Sequence, residues 1–219
     1  MWKGLIFDMD GTLVDNLAYH FKAFDAYIEQ KSFTLLEPVT MKINGMHSND
    51  IFPMLLGDEV VAEYGLDRLH HEKEAVYREL YRPHIKPVAG VIELIKMAKA
   101  AGVKCAIGSS GCRENVQMIV DGLGIADLLD ASISGSDVTH GKPHPEIFLK
   151  ASEALGLKPE ECIVVEDAIN GVKAGVAAGC KCVAVTTTTS AEELIEAGAS
   201  LCMADYTNLS LADLNYLLK

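Results

Sequence analysis

Two aspartates set two residues apart, Asp8 and Asp10, directly follow the apolar run Leu5-Ile6-Phe7 and are themselves followed by Gly11-Thr12. A short apolar run that ends in a glycine-containing turn reads as a buried strand whose tip opens on a crevice. Side chains two apart on a strand point the same way, so both carboxylates can meet one reacting group where the chain begins to turn. Carboxylates forced together repel each other, and such a pair is held by a metal ion or put to acid–base work. The plainer alternative makes Asp10-Gly11 a turn and Asp15 a helix N-cap. A lone Asp-x-Asp-Gly does not decide between the two.

Four further segments each set polar groups after an apolar run. Cys105-Ala106-Ile107 leads into Gly108-Ser109-Ser110-Gly111, and Ser132-Ile133 precedes Gly141-Lys142-Pro143. Ile163-Val164-Val165 ends in Glu166-Asp167, and Val183-Ala184-Val185 ends in the threonines 186–189. In a parallel sheet the C-terminal ends of all strands share one edge, so a hydroxyl, an ammonium and four carboxylates are expected in one crevice. In this order, Asp8-Met9-Asp10-Gly11-Thr12, Ser109, Lys142 and Glu166-Asp167 resemble the four signature elements of the haloacid dehalogenase superfamily of phosphotransferases. The resemblance spans the core from Lys3 to about Thr186.

What the resemblance implies is phosphoryl transfer, which requires an in-line nucleophile, neutralisation of the phosphoryl oxygens and a proton for the leaving group. Asp8 is expected to attack phosphorus and become an aspartyl phosphate. Asp10 is expected to protonate the departing oxygen and then to deprotonate the incoming water or hydroxyl. Ser109 is positioned to donate to a phosphoryl oxygen beside the N-terminus of a predicted helix, and Lys142 to offset the charge of both the phosphoryl group and Asp8. Thr12 and Ser110, from the same motifs, are placed with the substrate contacts. Mg²⁺ is the expected ion, held by Asp8, Asp10 through its backbone carbonyl, Glu166 and Asp167. By analogy with the family, Asp167 binds it directly and Glu166 either binds it or supports a group that does.

These residues need elements to hold them. Between residues 16 and 83 the apolar pattern is helical and no strand-like run occurs, which predicts an inserted helical cap; residues 1–15 and 84–219 then form the core. In the insertion, Ala18, Phe21, Phe24, Ala26 and Ile28 predict a first helix. Ile51 to Leu56 and Val60 to Tyr64 predict short ones, and Leu66, Leu69, Val76, Tyr77 and Leu80 predict a longer one. From Pro87 onward helix and strand alternate, which predicts an α/β fold with a doubly wound parallel sheet. Gly102, Gly124, Gly156, Gly179 and Gly198 punctuate the helix ends. Ser190-x-x-Glu193 reads as a capping box, which makes the preceding threonines a structural feature rather than a phosphate site. Residues 205–219 read as a terminal helix.

The 219 residues exceed a typical single domain, and 49% hydrophobic content implies a filled core rather than disorder. A net charge of −12 argues against nucleic acid or an anionic membrane as partner, but not against a small phosphorylated metabolite. No window reaches the length of a membrane span and no basic leader precedes an apolar stretch, so a cytoplasmic protein is expected, acting as a monomer. The six cysteines form no Cys-x-x-Cys pair and read as reduced, mostly buried thiols.

Substrate choice is assigned to the insertion. Residues 15–24, with His20 among them, resemble the start of the cap in β-phosphoglucomutases, where the matching histidine helps to control closure and sugar contact. Those mutases carry an arginine for the substrate's second phosphate. Aligned on Gly45, a further expected substrate contact, that position here is Ser48, although Arg78 offers one cationic contact on a later helix. A hydroxyl is a poor substitute for a bidentate cation at a dianion site. The pattern therefore favours a phosphatase of a sugar or polyol phosphate over a mutase. A regulatory module without turnover is expected to lack Asp8 or Asp10, and a two-carboxylate dehalogenase to lack Asp10; both residues are present.

Overall fold

The computed structural model describes residues 2–40 and 48–216. Its centre is β1 (Gly4–Phe7), buried over its whole length because it lies between two other strands with a packed layer on either face. On one side it pairs in parallel with β2 (Lys104–Gly108), with Phe7 opposite Ile107, and β2 pairs with β3 (Ala131–Ile133). On the other it pairs with β4 (Cys162–Glu166), with Phe7 opposite Val165; beyond that lie β5 (Lys181–Val185) and β6 (Leu201–Met203). The six-stranded parallel sheet has the order β3-β2-β1-β4-β5-β6. The winding reverses between β1 and β4, and a crevice opens at the carboxyl ends of strands where the order reverses.

Alternation along the strands feeds two packed layers. Ile6, Ala106, Val164 and Ala184 point into one cluster with Ile147, Phe148 and Ala151 of α7 (Glu146–Ala154), Val172 and Ala174 of α8 (Ile169–Ala178), and Leu194 of α9 (Ala191–Glu196). Their sequence neighbours Leu5, Phe7, Cys105, Ile107, Ile163 and Val165 are equally buried. The remaining core helices are α5 (Val91–Ala100), which packs on β2, α6 (Arg113–Leu123) and α10 (Leu211–Tyr216), which packs on α5. All five helix-end glycines named from the sequence have positive φ, and Ser190 caps α9 through Glu193 as the spacing predicts. The six cysteines are all free thiols, four of them buried.

The chain divides into two compact units, 1–15 with 85–219, and 16–84. The second unit is helical: α1 (Leu17–Lys31), α2 (Ser48–Leu56), α3 (Asp58–Tyr64) and α4 (Leu66–Tyr81), with α1 packed along α4. Phe52 of α2 fixes its centre, with ring centroids 5.6 Å from Phe24, 6.2 Å from Tyr27 and 4.9 Å from His70. His84 falls in this unit rather than in the core, its ring 5.3 Å from Tyr19. Among the described residues no helix is long and apolar enough to cross a membrane.

Three further details differ from the sequence reading. β6 is an additional, half-buried edge strand, whose apolar run of three residues is too short to stand out in the sequence. The terminal helix begins at Leu211, not at 205: Asp205 accepts from the Thr207 amide and hydroxyl in a turn, and Ser210 caps the helix through Asp213. In α4, Leu80 is exposed, and the buried stripe instead continues through Lys73 and Tyr81.

Ile6 is fully buried on the central strand, whereas Ile195 on α9 is 49% exposed. Ile6→Ala is expected to lower the free energy of unfolding by about 2–5 kcal/mol, and Ile195→Ala to change it by at most about 0.5 kcal/mol. Urea denaturation of the two variants measures the difference, and equal losses would contradict the packing described.

Candidate active site

The end of β1 sets Asp8 beside the end of β4, its amide donating to the Val165 carbonyl at 2.9 Å. This register brings Asp8 together with Glu166 and Asp167 in a buried group, one carboxylate oxygen from each lying within 4.8 Å of the other two. Lys142 reaches in from the loop after β3, and its Nζ donates to Asp8 Oδ1 at 2.5 Å and to Glu166 Oε1 at 2.7 Å. The Lys142–Pro143 peptide is cis. Burial raises Asp8 well above the usual carboxylate range against the opposing pull of Lys142. Lys142 itself is held protonated, because Asp8 and Glu166 together outweigh the effect of its burial.

The neighbours of the two β4 carboxylates differ. Glu166 is satisfied by protein donors: besides Lys142, its Oε2 accepts from the amides of Asp167 and Ala168, each at 2.9 Å. Among the described residues, the Asp167 carboxylate accepts from hydroxyls, those of Thr12 at 3.2 Å and of Thr188. Burial and the Glu166 charge push Asp167 up to about 7. Three buried carboxylates thus share one ammonium, and a further cation would favour the charged forms of Asp8 and Asp167. An all-oxygen donor set of this kind fits Mg²⁺.

Asp10 stands apart from that trio. It is half-buried, and a Cβ built on Gly111 would lie 3.5 Å from its Oδ2 and 3.2 Å from Ser109 Oγ, so both side chains face the same glycine. Ser109 is buried and its Oγ accepts from the Gly111 amide at 3.0 Å, while Ser110 is exposed. Thr12 is fully buried, which places its hydroxyl beneath Asp167 rather than at an open surface. Within the helical unit, His20 stacks on Tyr77 at 3.9 Å, and its Nδ1 lies 3.1 Å from Nζ of the buried Lys73. Arg78 is half-buried in the last turn of α4. Gly45 lies outside the described residues, as does the side chain of Ser48, the first residue of α2.

The threonines after β5 do more than lead to a cap. Thr187 donates to the Gly11 carbonyl at 2.5 Å, and Thr188 donates to the Asp167 carboxylate and, at 3.1 Å, to its carbonyl. Only the position of Thr188 at a strand end hinted at this, because its partner lies 21 residues earlier. Two glycines make room for the β4-end carboxylates. Gly11 has φ +85°, and a Cβ there would collide with the Asp167 carboxylate; a Cβ on Gly171 would collide with that of Glu166.

The sequence profile of the haloacid dehalogenase-like hydrolases matches residues 5–185. The chain belongs to that family. A Thermotoga maritima relative, phosphorylated carbohydrates phosphatase, is 30% identical over 203 residues, which is 90% of this chain and 92% of the relative. Hexitol phosphatase A of Escherichia coli is 33% identical over 187 residues, covering 84% of this chain and 82% of the relative. Among solved structures, β-phosphoglucomutase from Clostridium difficile matches with a TM-score of 0.84 at 25% identity, over 100% of this chain and 97% of that one. The hydrolase is therefore an enzyme of the β-phosphoglucomutase-like phosphatase branch.

The fit of Gly171 against Glu166 can be tested on this hydrolase. In Gly171→Ala the carboxylate must move, which breaks its bonds to Lys142 and to the two β4-end amides. Activity is expected to fall about 10–100-fold. Gly102→Ala, where nothing stands within 4 Å of the new Cβ, is the control for backbone strain at a glycine remote from the site. Equal activity in the two variants would count against a role for Glu166 in holding Lys142.

Proposed function

We propose that the protein is a Mg²⁺-dependent phosphatase that hydrolyses a small phosphorylated carbohydrate, a sugar or polyol phosphate, through an aspartyl phosphate on Asp8. The observation that carries this reading is the buried trio Asp8, Glu166 and Asp167 with Lys142 bridging two of its members at the point where the strand order reverses. Phosphatase-named relatives that act on phosphorylated carbohydrates and on hexitols support the substrate class.

In this proposal Asp8 attacks phosphorus and Lys142 keeps it ionised and aligned while offsetting the phosphoryl charge. Asp10, outside the charged trio and close to Ser109, delivers the proton to the leaving oxygen and later takes one from water. Ser109 and the backbone amides that open α6 bind the phosphoryl oxygens. Asp8, the Asp10 carbonyl and Asp167 would hold Mg²⁺, with Glu166 bound to it or positioning Lys142. Bound there, the ion supplies positive charge to the phosphoryl oxygens. Thr12 and Thr188 orient Asp167, and the helical unit of residues 16–84 contributes substrate selection through His20 and Arg78.

A mutase is the second reading, favoured by the likeness to the Clostridium difficile β-phosphoglucomutase. The two differ in what reaches the aspartyl phosphate second. Water needs no dedicated site, whereas a sugar phosphate must be gripped by its other phosphate, and in the alignment on Gly45 it is Ser48 that corresponds to the mutases' arginine.

A screen of phosphate release over sugar and polyol phosphates with Mg²⁺ is expected to find turnover in the wild type and a loss of at least about a thousandfold in Asp8→Asn. Near-wild-type activity in that variant would overturn the proposal. Asp10→Asn is expected to lose about 10²–10⁴-fold at every Mg²⁺ concentration, whereas added Mg²⁺ partly restores Asp167→Ala. Equal rescue of both would remove the separate roles. In a parallel assay, phosphate release is expected to exceed conversion of β-glucose 1-phosphate to glucose 6-phosphate even with a bisphosphate primer, and Ser48→Arg is expected to shift the ratio toward conversion. Efficient isomerisation with negligible phosphate release by the wild type would establish the mutase instead.

A further inference from the structure

The loop that carries Lys142 also carries two histidines that the proposed reaction does not use. His140 and His144 flank Gly141-Lys142-Pro143, and the turn between them is closed by the His144 amide donating to the Gly141 carbonyl at 3.0 Å. This turn brings the two imidazoles together, with ring centroids 4.5 Å apart, beside Glu146, the first residue of α7. His140 Nδ1 lies 3.0 Å from Glu146 Oε2, and one ligand atom from each of the three residues falls within 4.8 Å of the other two. We propose that His140, His144 and Glu146 form a binding site for a transition-metal dication of the Zn²⁺, Co²⁺ or Ni²⁺ class, separate from the carboxylate trio.

Three features support a site rather than a chance grouping. Ligand atoms around a tetrahedral ion with bonds of about 2.0–2.2 Å sit roughly 3.3 Å apart, so the His140–Glu146 pair at 3.0 Å is close to that spacing, while the exposed His144 ring, whose Nδ1 accepts from the Glu146 amide at 3.3 Å, lies beside them. Glu146 is held in place before any ion arrives, its Oε1 accepting from the Thr139 amide at 3.1 Å and facing Lys150 Nζ at 2.9 Å, and its Oε2 accepting from the His140 amide at 2.9 Å. Those contacts, led by Lys150, keep its carboxyl well below the usual range, so it is ionised and ready to bind. The donor set differs in kind from the other cluster: two imidazoles select a borderline metal, whereas Asp8, Glu166 and Asp167 offer only the hard oxygens that Mg²⁺ prefers. Three protein ligands leave the fourth position to water, which makes this an open and exchangeable site.

The test is a titration of the full-length protein with Co²⁺ and, separately, Zn²⁺ in saturating Mg²⁺, followed by visible absorption for Co²⁺ and by calorimetry for both. One ion is expected to bind per chain, with the ligand-field bands of a nitrogen and oxygen donor set and no thiolate charge-transfer band. His140→Ala and His144→Ala are each expected to weaken binding at least about tenfold. Both residues are exposed, so these variants are expected to unfold in urea like the wild type. Binding unchanged in both variants, binding abolished by Mg²⁺ competition, or a thiolate spectrum would each overturn the proposal.

Discussion

Lys142 Nζ is shared between Asp8 at the end of β1 and Glu166 at the end of β4, and all three side chains are less than a tenth exposed. Burying three charges is costly, and their mutual attraction offsets that cost only with short contacts and with the remaining lone pairs satisfied. Both conditions hold for Glu166, which has two backbone amides besides the ammonium. The ammonium arrives on a loop after β3, and its two partners come from adjacent strands in the middle of the sheet. Its position therefore depends on the strand order and register, and the register of Phe7 against Val165 is what brings the partners within reach of one cation.

Around that contact the chain uses small residues and hydroxyls to bring backbone close to charge. Gly11 and Gly171 leave room for the carboxylates of Asp167 and Glu166, and Thr12 and Thr188 hold Asp167 from two directions. Behind the turn, the buried Tyr206 hydroxyl donates to the Thr12 carbonyl at 3.0 Å, so the segment after β6 closes over the motif that follows β1. The acidic trio is rigidly placed and short of positive charge, a combination that suits a group which must bind a dianion and a dication together.

Much of this was legible in the sequence because each charged group follows its own apolar strand. The rule that parallel strands present their C-terminal ends on one edge was enough to gather Asp8, Lys142, Glu166 and Asp167 before any coordinates. The strand order was not legible: nothing local says that β1 lies between β2 and β4, since pairing is decided by packing across the sheet. The strand β6 is an apolar run of only three residues, too short to stand out, and helix α10 starts six residues later than the sequence reading has it, at the point marked by Ser210-x-x-Asp213. Long-range partners left the least trace. The side chain of Thr188 reads as part of a polar run until it is seen against Asp167, and the buried Lys73 beside His20 is 53 residues away in sequence.

The central claim is that Asp8, held by Lys142, is the atom donor that forms a bond to phosphorus. The most direct test is an acid quench of the enzyme during turnover of a hexitol or sugar phosphate, followed by mass spectrometry of the peptide that contains Asp8. The account predicts one phosphoryl group on Asp8, an acyl phosphate that hydroxylamine cleaves to inorganic phosphate and a hydroxamate, and that is absent in Lys142→Met. Turnover with no phosphoryl group on that peptide, or with the group on another residue, would contradict it.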